Sequence, residues 1–522
     1  MVKVVSAPSG SDLSDKFKVF VRESAGEWQE LSVYLALCPV KGQANMPPEL
    51  FAEFNGLTYP RAGFAKPTCF AGFEYSGAVE IKAVYSRNAD NLALKPESYN
   101  LDYAVHGNTV VFKINSADNI RFVTIQADDK PEEAVHIFVN DISEFKPAYD
   151  NVIHFTKGIY DVDNCEYIHI DEHGNPVIDG IKDNTYVYLD DGAVVRAAFI
   201  LSGVKNVKID GRGIISLLHR CYGYDEGFSC EPIFGPFRSY ARPIIYIKSG
   251  CSDIEISGVI TVGEFRNVTV RNSDNIILNN VKMLSHSTNA DGVNCVNANN
   301  VQVHDCFIHS HDDCICMYTS YDSIPALNDE GYPPHAARSC NYEISGCVFW
   351  TICRPFVFGG HATKNSVNRD LVSNIHVNNC EIMDVPYCIS SHDGVKYWSG
   401  YFRILSQSEA LVRDIVFENI NAHLTDGYLN QPVHIEVRES KDASYSESGG
   451  YKIENVLFKN INFYNYSDTN TIPCFFKATN LPDGYGIDGI TFDNVTFNGQ
   501  NLKDLEGTLI ETEGSVKNII IK

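Results

Sequence analysis

From about residue 200 to the C-terminus, one short pattern of polar and apolar positions recurs. An Asn or Asp precedes an apolar residue, any residue and a second apolar residue; a polar pair and another apolar alternation follow. It reads NVKIDGRGII at 206–215, DIEISGVITV at 253–262, NIILNNVKML at 275–284 and NVQVHDCFIH at 300–309. Further copies are NYEISGCVFW at 341–350, NIHVNNCEIM at 374–383, DIVFENINAH at 414–423, NVLFKNINFY at 455–464, GITFDNVTFN at 489–498 and NIIIK at 518–522. Alternation of period two marks strands, and the Asn, Asp or Gly pair between two such runs marks a tight bend. The shortest steps between copies, from 254 to 276 and from 276 to 301, are 22 and 25 residues, and longer steps imply inserted loops. Strand, bend and strand repeating at that length predict a right-handed parallel β-helix, a one-dimensional stack of coils.

Residues 1–145 do not follow the repeat. Their short alternating runs (KFKVFVRE, GAVEIKAVYS, NTVVFKI, IRFVTIQAD), spaced by Gly, Asn, Pro and Asp, predict an antiparallel β-sandwich. The chain is therefore expected to be all-β, with a sandwich over 1–145 and a β-helix over 146–522. The boundary is expected in SEFKPAYDNVIHF, 143–155, and no amphipathic helix longer than two turns is expected. Length alone, at roughly 150 residues per domain, predicts three or four domains. A solenoid grows by adding coils, which reduces the expectation to two. Cys306, Cys347 and Cys380 share one repeat position with Val259, Val281, Ile420, Ile461 and Val495, so they read as core residues rather than ligands.

Composition narrows the partners. The chain is 44 % hydrophobic and 21 % charged, which excludes disorder, collagen and coiled coil. Its 66 acidic and 42 basic residues leave a formal charge of −24, which repels phosphate backbones and anionic lipid. Neither nucleic acid nor a membrane is expected as a partner, and no apolar run is long enough to span one. Sixteen cysteines without paired CxxC spacing read as reduced thiols packed as small hydrophobes. With no basic-then-apolar leader visible, the expectation is a cytoplasmic protein, or a secreted one whose leader has been removed. Nothing here fixes an oligomeric state.

The densest polar cluster is NADGVN at 289–294 followed by HSHDDCICMY at 309–318. Asp291 and Asp312 are 21 residues apart, one short coil. Equivalent positions on adjacent coils lie about 4.8 Å apart, so Asp291, Asp312 and Asp313 should converge on one patch. Carboxylates that close repel and raise at least one pKa. A protonated acid beside an ionised base is what glycosidic cleavage requires, and spacing alone leaves inverting and retaining geometries both open. His311 and Tyr318, with Trp398 and Tyr397 in GVKYWSGY, are candidate sugar contacts; core packing is the competing reading for the last two. An aromatic-rich loop at 217–243 and another at 319–340 are expected to wall a cleft and, by closing one end, to favour exo action. His286, His304, His309 and His311 surround the acids, but no HExxH or Cys/His spacing fixes a geometry, so neither metal nor cofactor is expected. These histidines read as lining the sugar site, with His304 solvated.

Along the chain, Asn289-Ala290-Asp291, Asp312-Asp313, Gly360-His361 and Arg403-Ile404 follow the order of the NTD, DD, GHG and RIK motifs. In this the chain resembles the polygalacturonases of glycoside hydrolase family 28, whose usual interval the 21-residue step matches. Supporting stretches are HIFVN (136–140), TYVYLDDGAVV (185–195), GRGI (211–214) and PFVFGG (355–360). The sandwich followed by a β-helix is similar to family 49, the dextranases and isopullulanase of the same clan. The resemblance covers roughly residues 130–425. It implies that Asp312 is the general acid and that Asp291 and Asp313 hold and activate the attacking water, with inversion. It implies also that Asn289 orients this set, that His361 sits beside it and that Arg403 binds substrate. Three positions depart from the motifs: Ala290, Ala362 and Leu405. Leu405 stands where a lysine would pair with a uronate carboxylate, which with the acidic balance favours a neutral α-glucan over a pectic galacturonide. Lys364, Arg369 and Lys396 are near enough in sequence to substitute for that lysine. The expected protein is thus an inverting glycoside hydrolase with a carbohydrate substrate. The alternatives are a polygalacturonase-type pectin hydrolase, a β-helix lyase or epimerase, and a non-catalytic carbohydrate-binding β-helix.

Overall fold

The computed structural model describes residues 1–522 except 25, 37–50, 55–56, 61–67, 131–132, 218–241, 264, 286–289, 320–337, 361–369, 386–399, 408, 426–429 and 439–449, with the backbone alone for 51–54, 57–60 and 360. Among the described residues the structure is almost entirely β, and the one α-helix, Glu506–Leu509, has four residues. The N-terminal part holds two facing sheets. One runs in the order Val2–Lys3, Cys69–Tyr75, Ala134–Asp141, Phe122–Ala127, Leu92–Lys95, with Tyr34–Leu35 also on Cys69–Tyr75. The other runs Tyr103–His106, Thr109–Asn115, Ala78–Tyr85, Phe17–Glu23, Gln29–Leu31. Val19, Ile81 and Phe112 of the second sheet and Phe73, Ile125 and Ile137 of the first close one apolar core. The expected antiparallel pairing holds except where Ala134–Asp141 joins Cys69–Tyr75 in parallel, because the chain between them passes through the opposite sheet.

From Asn151 onward the strands stack into a parallel β-helix. A 20-stranded sheet and a 12-stranded sheet form its walls, closing on a continuous core. The Asn of the repeat has a conformational reason. Asn206, Asp253, Asn275, Asn300, Asn341, Asn374, Asp414, Asn455 and Asn518 all have φ between +53° and +64°. Among L residues only Asn and Asp enter that left-handed region readily; Gly489, at φ +75°, fills the remaining copy. Their amides form a ladder along the stack. Asn275 donates to Asp253 at 3.0 Å, Asn300 to Asn275 at 3.0 Å, Asn341 to Asn300 at 2.9 Å and Asn374 to Asn341 at 2.7 Å. The column of Val259, Val281, Cys306, Cys347, Cys380, Ile420, Ile461 and Val495 lies inside, none more than 2 % exposed. All twelve described cysteines are free thiols. No described helix is long and apolar enough to cross a membrane.

The sandwich docks on the helix through Phe70, Phe122 and Phe138, which meet Leu284, Phe307, Val348 and Trp350. Polar contacts flank this patch. Lys95 pairs with Asp384 at 2.9 Å, and the wholly buried Lys282 donates to Asn140 Oδ1 at 2.6 Å and to Gly258 O at 3.2 Å. The repeat yields a stability test. Asn300→Ala loses two exposed ladder bonds and forces alanine into the left-handed region, at a cost of about 2 kcal/mol. Asn300→Gly loses the bonds alone and should lower the urea midpoint by less than half as much; equal losses would mean that backbone conformation does not select Asn here.

Candidate active site

Successive strands of the 12-stranded sheet begin at Val268, Val293, Ile315 and Phe356, each in register with the next. Two residues before these starts stand Arg266, Asp291, Asp313 and Arg354. The ladder reaches them: Asn267 N–H donates to Asp291 O at 2.9 Å, Gly292 N–H to Asp313 O at 2.9 Å and Cys314 N–H to Arg354 O at 2.8 Å. Parallel stacking thus lines up four side chains of alternating sign at the ends and like sign in the middle. Arg266 Nε lies 2.9 Å from Asp291 Oδ2, and Arg354 Nε lies 2.6 Å from Asp313 Oδ1. Asn294 Nδ2 donates to Asp291 Oδ2 at 2.7 Å, and the Cys316 thiol donates to Asp313 Oδ2 at 3.6 Å. Carboxylate oxygens of Asp291 and Asp313 come within 4.8 Å of each other.

Asp312 is one residue out of that row. It is half-buried, whereas Asp291 and Asp313 are 5 % and 4 % exposed, so it is the most open of the three acids. Its carboxylate still comes within 4.8 Å of that of Asp313. The turn around it is held by hydroxyls. Ser310 Oγ and Thr351 Oγ1 both donate to Asp312 O at 2.5 Å, and Asp313 N–H donates to Asp312 Oδ1 at 3.0 Å.

Burial sets the protonation of this cluster. It pushes the Asp291 carboxyl up to about 6; the charge of Asp312 adds to the rise, while Arg266 and Asn294 oppose it. Asp313 is raised by burial too, against the pull of Arg354 and Arg403. Burial opposes the charges of Arg266 and Arg354, but their aspartates hold both guanidiniums above the ordinary range. The buried Arg403, in the strand Phe402–Ser406, is lowered to about 9 by burial and by Arg354 and Arg438, with Glu436 and Asp313 opposing. On the next coil, in register with Arg403 and Leu405, stand His434 and Glu436. Burial disfavours the Glu436 charge, yet its bond to His434 and the nearby Arg438 and Arg403 hold it below the usual carboxylate range.

The structure therefore brings together Asp291, Asp312 and Asp313 and places Arg403 further along the same sheet. Tyr318, half-buried, is near enough for Asp313 and Asp291 to act on its phenol, which burial above all raises. His311 is buried directly before Asp312. Asn289, His361, Trp398 and Tyr397 lie outside the described residues, as do His286, the loops 218–241 and 320–337, and Lys364, Arg369 and Lys396. The histidines do not form one set. His304 bonds Ser345 and Gln302 at the surface, and His309 bonds His136 of the sandwich. Asp291, Asp313 and Cys316, and Asp312, Asp313 and Cys353, bring ligand atoms close enough for a cation. In both sets an arginine already faces a carboxylate, and burial keeps the two thiols protonated. Arg266, Arg354, Asn294 and Glu436 escaped the sequence reading. Arg266 precedes Asp291 by 25 residues, the same step as one coil of the repeat, so extending the aspartate column backward would have found it.

No family model matches the chain. By sequence it is similar to an exopolygalacturonase of Arabidopsis thaliana, 26 % identical over 271 residues, 49 % of this chain and 53 % of that protein. It is similar also to a probable exopolygalacturonase B of Neosartorya fischeri, 28 % identical over 278 residues, 50 % of this chain and 52 % of that one. The chain thus spans about half the length of the curated relatives it matches. In fold it is similar to Dex49A from Penicillium minioluteum, with a TM-score of 0.62 at 16 % identity over 98 % of this chain and 96 % of the other. The fold shared with that protein is a parallel β-helix behind an N-terminal sandwich.

The raised Asp291 has a measurable consequence. Its folded pKa, about 6, exceeds the ordinary 3.8, so the folded state binds the extra proton and is favoured at low pH. That contribution is complete below pH 4 and lost as pH rises through 6. Asp291→Asn cannot titrate, so its stability relative to the parent should improve by about 2 kcal/mol between pH 4 and pH 6. Chemical denaturation at a series of pH values reads this; a constant difference would show that Asp291 is not raised.

Proposed function

We propose that the chain is an inverting glycoside hydrolase acting on the α-glycosidic bonds of a neutral glucan. The observation that carries the reading is the meeting of three carboxylates in two environments at the start of adjacent strands. Asp312, on the open side, takes the place of the proton donor to the leaving glycosidic oxygen. Asp291 and Asp313 stand close enough to hold one water between them and to take its proton as it attacks the anomeric carbon from the other face. Arg266 and Arg354 favour the ionised forms of this pair despite burial. A base poised near 6 is strong enough to assist water and still largely ionised at neutral pH.

The surroundings of Leu405 support a neutral sugar. Among the described residues of the site, Arg266, Arg354, Arg403 and Arg438 face Asp291, Asp312, Asp313 and Glu436, four guanidiniums against four carboxylates. With Asp312 protonated as the acid, one guanidinium is in surplus, so the preference for a neutral sugar rests on Leu405 rather than on the charge tally. Leu405, 2 % exposed, stands in register with the ionised Glu436, so the position of the motif lysine is apolar and its neighbour is an acid. Pectic galacturonide is the second reading, favoured by the names of both sequence relatives and by Arg403.

Two measurements test this. A panel of α-glucans and galacturonans, with NMR of the first anomer released, should show cleavage of a neutral glucan with inversion; galacturonan cleavage alone establishes the second reading, and an unsaturated product a lyase. Asp312→Asn should lower kcat on the order of 1000-fold with unchanged thermal unfolding. A variant retaining full activity would remove Asp312 from the acid role. If the neutral reading holds, Leu405→Lys with Glu436→Gln should raise relative kcat/KM for oligogalacturonides at least tenfold, about 1.4 kcal/mol.

A further inference from the structure

A chain of buried polar contacts runs from the N-terminal sandwich to the catalytic turn. Thr124 and His136 are directly opposite on neighbouring sandwich strands, and Thr124 Oγ1 lies 2.9 Å from His136 Nδ1. The other nitrogen of that ring, Nε2, lies 3.1 Å from Nδ1 of His309 in the β-helix. None of the three residues is more than 2 % exposed. Burial pushes His136 down to about 3, so the ring stays neutral and links its neighbours with one N–H and one acceptor nitrogen.

The rings around His136 belong to two adjacent coils. His309 stacks on Trp350 with centroids 4.8 Å apart and planes 11° apart, and His136 meets Trp350 edge-on at 5.2 Å. The residues that follow these two rings are Ser310 and Thr351. Those are the two hydroxyls that hold the Asp312 carbonyl, each at 2.5 Å. Both anchors of the turn bearing Asp312 and Asp313 therefore grow from backbone whose preceding side chain packs on one sandwich histidine.

We propose that His136 is a positioning residue for the catalytic turn, so that the N-terminal sandwich is a working part of the active site rather than an appendage. Packing of His309 and Trp350 on His136 fixes where Ser310 and Thr351 present their hydroxyls. Those in turn fix the backbone of Asp312, from which its carboxyl and the following Asp313 project. Displacement of a catalytic group by about 1 Å can cost on the order of 100-fold in rate. Other sandwich contacts lie elsewhere: Arg196, on an early coil, donates to Gly10 O at 3.1 Å and meets Asp12 at 3.9 Å.

The test compares three variants of the full chain. His136→Phe keeps a ring and loses both hydrogen bonds, His136→Gln can restore the bond to His309, and Arg196→Met breaks a docking contact elsewhere. The expected result for His136→Phe, well below its unfolding temperature, is a kcat lowered roughly 10- to 100-fold with KM within twofold. The Gln variant should recover at least half of that loss on a logarithmic scale, and the Arg196 variant should keep the parental kcat. The kinetic readout rests on the hydrolase reading, so amide hydrogen exchange supplies one that does not. Exchange at Asp313 and Cys314 should quicken at least tenfold in His136→Phe and stay unchanged in Arg196→Met. A parental kcat or parental exchange in His136→Phe would overturn the proposal, as would equal effects from Arg196→Met. Failure of the substrate panel, with the exchange result intact, would overturn the hydrolase reading and leave the positioning role standing.

Discussion

Parallel pairing places every residue about 4.8 Å from its equivalent on the next coil, and the character of each part of this molecule follows from which side chains meet at that distance. Where like meets like without charge, the stack is favourable. Phe417, Phe458 and Phe492 pack face to face at 5.2 and 5.0 Å with planes within 11°. Amides gain as well, because each Asn can donate to one neighbour and accept from the other, and the left-handed bend that Asn tolerates turns them all the same way. Aspartates cannot gain from stacking. Asp291 beside Asp313 is a like-charge pair in a buried place, and the row closes with an arginine at each end. The local chemistry is therefore a consequence of the ladder: two acids forced together, kept from simple protonation by flanking guanidiniums, with a third acid just off the row and more open to solvent.

Much of this was legible in the chain. The recurrent Asn before an apolar alternation marked both strand and bend, and the structure supplies the reason in the positive φ at each copy. The shared column of Cys306, Cys347 and Cys380 with Val and Ile identified core positions correctly, because a stack gives equivalent residues equivalent surroundings. Asp291 and Asp312 could be placed together because 21 residues matched a short coil. Arg354 could not be found in that way: it follows Asp313 by 41 residues, and a long loop obscures the register. The same holds for Glu436, whose pairing with Leu405 depends on strand starts that inserted segments displace. His136 was harder still. Its contact with His309 spans 173 residues between two domains, and no repeat relates a sandwich strand to a coil.

Those illegible contacts explain why a solenoid with a complete ladder carries a second domain on its flank. Each coil touches only its neighbours, so the ladder fixes strands well and turns poorly. Asp291 and Asp313 stand two residues before strands, and their carbonyls are already ladder acceptors. Asp312 is the residue before, and its carbonyl is held by the side chains of Ser310 and Thr351. In its proposed role as proton donor Asp312 must be placed to within about 0.5 Å, and hydroxyls that rotate on their own backbone do so only if that backbone is braced. The outer face of the β-helix at His309 and Trp350 is where such a brace can reach, and the aromatic patch of the sandwich covers it. The aromatic patch of the sandwich thus sits against the strands that lead into the turn bearing Asp312, where the parallel ladder reaches the Asp313 carbonyl and stops one residue short of Asp312.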